Sequence, residues 1–109
     1  MKLPKRTIAD YLKGLEKEIS LGGVLLFGSY AYGRPTADSD LDLAIISRDF
    51  NKMKFTERIY FLQSQRSGAA LDVAMDIIGY TPREFKDIEK HSSVMAYAKK
   101  HGRWLKRNG

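Results

Sequence analysis

Apolar residues recur at helical spacing early in the chain. Ile8, Tyr11, Leu12, Leu15 and Ile19 fall on one face, and Lys13, Glu16, Lys17 and Glu18 fill the other, which predicts an amphipathic helix over Thr7–Ser20. Leu21-Gly22-Gly23 ends it. Val24-Leu25-Leu26-Phe27 is a short, continuously apolar run of the kind a buried strand uses, and Leu41 to Ile46 is a second. Between them lies a polar loop rich in Gly, Pro, Thr and Ser. Phe55, Ile59 and Leu62 predict a helix over Phe55–Arg66, stopped by Ser67-Gly68. Leu71 to Ile78 reads as a third strand, interrupted by Asp72 and Asp76. Thr81 as N-cap, Pro82 at N1 and Glu84 at N3 spell a helix start with a capping box. Phe85 and Ile88 continue that helix, and a last one is expected over Val94–Leu105.

The resulting order is helix, strand, strand, helix, strand, helix, helix. It predicts an α/β (α+β) domain with a short mixed, largely buried sheet packed against helices. A length of 109 residues and 43% hydrophobic content fit one domain with a modest core, carrying one site and an interaction surface. No internal repeat or low-complexity linker divides it.

Composition narrows the chemistry. The absence of cysteine excludes disulfides, thiolate metal sites and a thiol nucleophile. No apolar run approaches the roughly 20 residues that span a bilayer. The charged start Met1-Lys2-Leu3-Pro4-Lys5-Arg6 has no apolar segment behind it and does not read as a signal peptide, so a cytoplasmic location is expected. The net charge of +6 is concentrated in residues 90–109, expected as a basic, helical C-terminal segment. It holds six basic residues (Lys90, Lys99, Lys100, Arg103, Lys106 and Arg107) and no acid. Such a segment meets solvent, an acidic protein partner or a nucleic acid. Tyr97 and Trp104 are its only aromatic candidates for stacking bases, fewer than a single-strand groove needs.

Asp40-Leu41-Asp42 carries the strongest chemical signal. Alternation along a strand projects Asp40 and Asp42 from one face and Leu41 and Leu43 from the other. Paired carboxylates at a strand start repel and resist desolvation, and a divalent cation relieves both penalties, since hard Mg²⁺ prefers carboxylate oxygens. The plainer reading is a solvated loop in which Asp38 or Ser39 makes turn contacts. Upstream, Phe27-Gly28-Ser29 places a glycine directly after a buried strand, where the backbone can approach a phosphate and Ser29 adds a hydroxyl donor. If Tyr30–Tyr32 begins a helix, a phosphate would lie at its positive end. The turn is not a P-loop, because no Gly-Lys-Ser/Thr ending follows.

Taken together, Gly28-Ser29-Tyr30-Ala31-Tyr32-Gly33 and Ser39-Asp40-Leu41-Asp42-Leu43 resemble the signature of the polymerase-beta-like nucleotidyltransferase superfamily. Within it they are most similar to the minimal nucleotidyltransferase (MNT) group, small proteins often encoded beside a HEPN-domain partner. The resemblance runs from about Val24 to Ile88. It implies a polymerase-beta-like fold, ATP as substrate with two Mg²⁺ ions, and transfer of a nucleoside monophosphate to an acceptor hydroxyl. It implies that Gly28 and Ser29 hold the triphosphate and that Asp40 and Asp42 bind metal. The family's third acid precedes a Thr-Pro helix start, which Met75-Asp76-Ile77-Ile78-Gly79-Tyr80-Thr81-Pro82 matches, so Asp76 is its counterpart. Asp72 competes by strand parity but lies nearer the strand start, where a solvated or capping role suits it better.

One residue departs from the pattern. The family often has arginine where this chain has Tyr32, and Arg34, two residues on, is the cation available to the phosphates. His91 and His101 read as surface or structural residues. Tyr11, Tyr60, Tyr80 and Tyr97 stand at core-like positions, where packing is the usual role. The resemblance implies an antitoxin-like protein that adenylylates or masks a HEPN ribonuclease. Two other readings stand beside it: a non-catalytic nucleotide-binding module that covers a partner, and a nucleic-acid-binding protein. A homo-oligomer is compatible with each.

Overall fold

The computed structural model describes residues 2–107; Met1, Asn108 and Gly109 lie outside the described residues. The helices are α1 (Lys5–Leu15), α2 (Ser29–Tyr32), α3 (Phe55–Ser64), α4 (Pro82–Lys86) and α5 (Ser93–His101). The strands are β1 (Gly23–Phe27), β2 (Leu41–Ile46), β3 (Met75–Tyr80) and β4 (Arg103–Arg107). They form one four-stranded mixed sheet in the order β3-β2-β1-β4. β1 runs antiparallel to both β2 and β4, whereas β2 and β3 are parallel. The parallel pair needs a crossover, which α3 supplies.

Period-two alternation sends the strand residues to two cores. Val24, Leu26, Leu41, Leu43, Ile45 and Ile77 face α1 and α3 with Ile8, Leu15 and Leu62. Leu25, Phe27, Ala44, Ile46 and Tyr80 face α4 and α5 with Phe85, Ile88, Met95 and Ala98. Both faces of the central strands are covered, so β1 is buried along its whole length. In α1 the buried stripe is Ile8, Tyr11 and Leu15, and the Tyr11 hydroxyl donates to the Leu62 carbonyl at 2.8 Å.

The boundaries depart from expectation; the helix started at Thr81 stops at Lys86, with Ile88 in a separate 3₁₀ turn over Ile88–Lys90, and three larger departures follow. α1 stops at Leu15 instead of Ser20, and the chain tightens into i→i−3 turns, with Lys17 N donating to Gly14 O and Glu18 N to Leu15 O. The third strand begins at Met75 rather than Leu71. Leu71 and Asp72 sit in a 3₁₀ turn over Gly68–Asp72, where Arg66 donates to the carbonyls of Ala70 and Val73. Asp72 therefore has no strand parity with Asp76.

The third departure corrects the C-terminal segment. The helix does not run to Leu105: α5 ends at His101, and Arg103–Arg107 is a strand. Gly102 makes the change of direction possible, because a Cβ there would lie 2.6 Å from Ala98 O and 2.7 Å from Leu26 O. The basic segment thus adds a fourth strand beside β1, where a continuous helix over Val94–Leu105 was expected.

The Thr81 helix start is as predicted. The Thr81 hydroxyl accepts from Glu84 N, and the Glu84 carboxylate accepts from Thr81 N at 2.8 Å. Glu84 also binds Arg58 at 2.6 Å, and the buried Arg58 guanidinium donates to the Gly79 carbonyl as well. Burial opposes ionisation of Glu84, but the Arg58 and Thr81 contacts outweigh it and hold its carboxyl below the ordinary value. With Gln63 donating to Met75 O, these contacts from α3 occupy carbonyls on the outer edge of β3.

Tyr11 and Tyr80 are buried, as expected of packing residues, but Tyr60 is 80% exposed and Tyr97 53% exposed. Their helical spacing places them on solvent faces of α3 and α5. Among the described residues, no helix is long and apolar enough to cross a membrane.

Candidate nucleotide and metal site

The end of β1 and the starts of β2 and β3 meet at one end of the sheet. Phe27 pairs with Asp42, and Asp42 pairs with Asp76. Register partners on adjacent strands point to the same side of a sheet, so the Asp42 and Asp76 side chains are neighbours. Asp40 precedes β2 by one residue and is exposed, as is Asp76, while Asp42 is half-buried. Burial, with the charges of Asp76 and Asp40 adding to it, pushes the Asp42 carboxyl up to about 6.

Among the described residues, no hydrogen bond or ion pair satisfies the carboxylates of Asp40, Asp42 or Asp76. The turn upstream is held by other groups. Thr36 N donates to Ser39 Oγ at 2.8 Å, Asp38 N donates to Thr36 Oγ1 and Ser39 N to Thr36 O. The turn contacts of the solvated-loop reading are present over Thr36–Ser39, and Asp40 follows them as an exposed residue just before β2.

Gly28 is shaped by its position. Its φ of 71° and ψ of −156° lie in a region essentially restricted to glycine. A Cβ there would lie 2.0 Å from Asp42 Oδ2. The conformation brings the backbone of the turn directly against the Asp42 carboxylate and caps α2. Ala31 N and Tyr32 N both donate to Gly28 O, so the first amides of the helix, Ser29 and Tyr30, have no backbone acceptor among the described residues. Gly33 closes the turn where a side chain would meet Ser29 Cα at 2.8 Å. Arg34 is exposed in the loop that follows, and no ion pair fixes it among the described residues.

The donor set suits a hard divalent cation: oxygen ligands only, with the shared charge of the acids left uncompensated by the protein. Among the described residues, no group of three or more acids or histidines is gathered into a ready cluster.

Tyr32, where the resemblance implies an arginine, packs its ring edge-on against Tyr97 of α5 at 4.9 Å between centroids. Tyr97 in turn meets His101 at 4.3 Å. The i, i+4 spacing of Tyr97 and His101 is the signal that joins them, but only the fold brings Tyr32 to that face of α5. Of the basic residues on β4, Arg103 pairs with Leu26 near this end of the sheet, and Lys106 and Arg107 pair with Val24 and Gly23 toward the other end.

Three solved structures share this architecture. A candidate nucleotidyltransferase from Sulfolobus solfataricus has 20% identity, covering 94% of this chain and 79% of that one, with a TM-score of 0.66. A mutant of the toxin–antitoxin MntA-HpeT has 20% identity over 97% of this chain and 75% of that one, with a TM-score of 0.63. A toxin–antitoxin with AMP-PNP has 21% identity, the same coverages and a TM-score of 0.63. At these identities the likeness is one of fold. No curated protein matches the sequence significantly. The family model of the nucleotidyltransferase domain, however, matches residues 5–105. With a mixed sheet, a glycine turn and acids arranged at one end of it, this chain belongs to the nucleotidyltransferase domain family and has the α/β polymerase-beta-like fold.

Proposed function

We propose that this chain, acting as a single nucleotidyltransferase domain, transfers AMP from ATP to a hydroxyl group of a protein partner. The observation that carries the proposal is the trio Asp40, Asp42 and Asp76. These carboxylates have no protein partner among the described residues and stand beside a turn that only glycine can make. The AMP-PNP in one structure of similar fold supports a nucleoside triphosphate as donor, and the toxin–antitoxin context of two of them supports a HEPN-type partner as acceptor.

The roles follow from position. Asp40, Asp42 and Asp76 would hold Mg²⁺, which when bound would neutralise phosphate charge and polarise the α-phosphate. Gly28 and the free amides of Ser29 and Tyr30 receive the β- and γ-phosphates, with the Ser29 hydroxyl as a further donor. Arg34 reaches the same phosphates from its exposed loop. Asp76 accepts the proton of the acceptor hydroxyl as its oxygen bonds to the α-phosphorus. The bond from phosphorus to the bridging oxygen breaks, and pyrophosphate departs. Neither histidine takes part.

The test is incubation with α-labelled ATP, Mg²⁺ and a HEPN-domain protein encoded beside it. Label on the partner together with pyrophosphate release is expected, and both should vanish in a D40A/D42A double variant. The absence of label and pyrophosphate, with partner binding retained, would instead establish a non-catalytic module that works by covering its partner. The packing of Tyr32 against Tyr97 favours that second reading, since a phenol held by aromatic contacts cannot replace a guanidinium at phosphate. A salt-dependent complex with RNA and none with protein would favour the nucleic-acid reading.

A further inference from the structure

The two edges of the sheet are treated differently. On β3, Arg58 and Gln63 of α3 donate to the outward carbonyls of Gly79 and Met75. On β4 nothing comparable is present: among the described residues, the backbone of Arg103–Arg107 is paired with β1 alone. An unpaired edge is a template for another strand, and natural proteins ordinarily cover or blunt it.

This edge is flanked by a cleft on each face of the sheet. A register shift opposite Val24 and Leu25 leaves Leu105 as an extra residue, a bulge that distributes the β4 side chains between the two faces. On the α1 side, Leu3, Lys5, Ile8, Leu12, Arg103 and Leu105 line a mainly apolar cleft of about 340 Å³. On the α4/α5 side, Gly23, Phe85, Lys86, Lys99, Trp104 and Arg107 line a cleft of about 420 Å³. An incoming strand alternates its side chains, so it would enter both clefts while its backbone bonds to β4.

The charges say what kind of strand fits. Arg103, Lys106 and Arg107 lie on β4 with no acid among them. Lys106 is paired with Glu16 at 2.9 Å, and Lys99 with Glu89 at 2.8 Å. Arg103, Arg107, Lys5 and Lys86 have no carboxylate partner among the described residues. We propose that the β4 edge is a docking site for an extended protein segment that alternates apolar and acidic side chains, added to the sheet as a fifth strand.

A second copy of this chain fits poorly, because antiparallel pairing of β4 with itself sets Arg103 against Arg107 twice. A nucleic acid fits poorly as well. The edge offers alternating backbone donors and acceptors, and Trp104 is already covered by Phe85 at 5.6 Å and by the Arg107 guanidinium at 4.9 Å. Arg103, paired with Leu26, lies toward the same end of the sheet as the acids, but β1 stands between β4 and the acid-bearing strands.

The test is an amide chemical-shift titration of the isotope-labelled full chain with a synthetic ten-residue peptide of alternating valine and glutamate. An alternating valine–lysine peptide and a decauridine RNA serve as comparison ligands. The valine–glutamate peptide is expected to shift amides of Arg103–Arg107 and of residues lining both clefts. An R103E/R107E variant should bind it about tenfold or more weakly and should gain affinity for the valine–lysine peptide. K86E, which leaves the Arg107–Trp104 contact in place, should weaken binding in the same direction and guards against a folding defect in the double variant. No shift at β4, shifts unaffected by both charge reversals, or saturation by the RNA in place of the peptide would overturn the proposal. So would β4 shifts that follow protein concentration without any ligand, since they would mark a second copy.

Discussion

Asp42 concentrates the conflict between stability and function. Its carboxyl is half-buried between Asp40 and Asp76, and that surrounding lifts it to about 6, whereas an unfolded chain leaves it near 3.8. A group raised in this way favours the folded state below its unfolded value, and the contribution is lost as pH rises through about 6. The metal-free protein is therefore expected to lose stability between about pH 4 and pH 6 from this group, which thermal unfolding across that range will measure. Mg²⁺ affinity should run the other way, strengthening as Asp42 ionises, which calorimetric titration on either side of pH 6 will measure. Asp42→Asn should raise stability at pH 7.5 by about 1 kcal/mol, after allowance for solvent screening of a half-exposed group, and abolish Mg²⁺-dependent ATP binding. Gly28→Ala should act in the opposite sense on stability. The strained backbone and the contact with Asp42 Oδ2 together predict a loss of about 2 kcal/mol, with ATP binding lost as well.

At the scale of elements, the Thr81 helix start does more than end β3. Glu84 closes the capping box and at the same time satisfies Arg58, whose side chain is buried. Removing Glu84 would leave the buried Arg58 guanidinium with only the Met53 and Gly79 carbonyls; because the lost carboxylate is half-exposed, Glu84→Ala is expected to destabilise by about 2 kcal/mol in a denaturant melt. Thr81→Ala, which removes only the cap, should lose about 1 kcal/mol. The Glu84 carboxyl lies below its ordinary value, so its contribution is present above that value and is lost as pH falls through the folded one. The Thr81-Pro82-Arg83-Glu84 signature announces the cap and the helix start. Its tie to Arg58, 26 residues earlier, could not be read there. In sequence, Arg58 is one more polar residue on an amphipathic helix, and only the crossover that lays α3 along the β3 edge makes it interior.

For the whole molecule, β4 closes the sheet on the β1 side. It covers β1 on one side, places Trp104 against Gly23 and Phe85, and reaches Glu16 through Lys106. A chain cut after Gly102 would expose the edge of a strand buried along its whole length, and it is expected to lose cooperative unfolding in calorimetry. Full length and truncation thus differ by a strand whose residues are mostly charged. Its burial is partial and its pairing is long-range, and neither leaves a strong local pattern.

Local chemistry was legible in the sequence wherever one short segment contains all that a feature needs. The strands at Val24–Phe27 and Leu41–Ile46 follow from continuous apolar runs, the Thr81 start from its capping residues, and the Gly28 turn and paired Asp40 and Asp42 from adjacent residue types. The resemblance to nucleotidyltransferases rested on those segments, and the domain family is the one they indicated. Tertiary structure decided what depends on register and crossing. It set Asp76 opposite Asp42 and removed Asp72 from the strand, brought Tyr32 onto Tyr97, buried Arg58, and turned the basic segment from helix into edge strand. The physical reason is common to all five. Hydrophobic periodicity and capping are properties of neighbours in sequence, whereas strand pairing and burial are free energies shared between segments far apart in the chain.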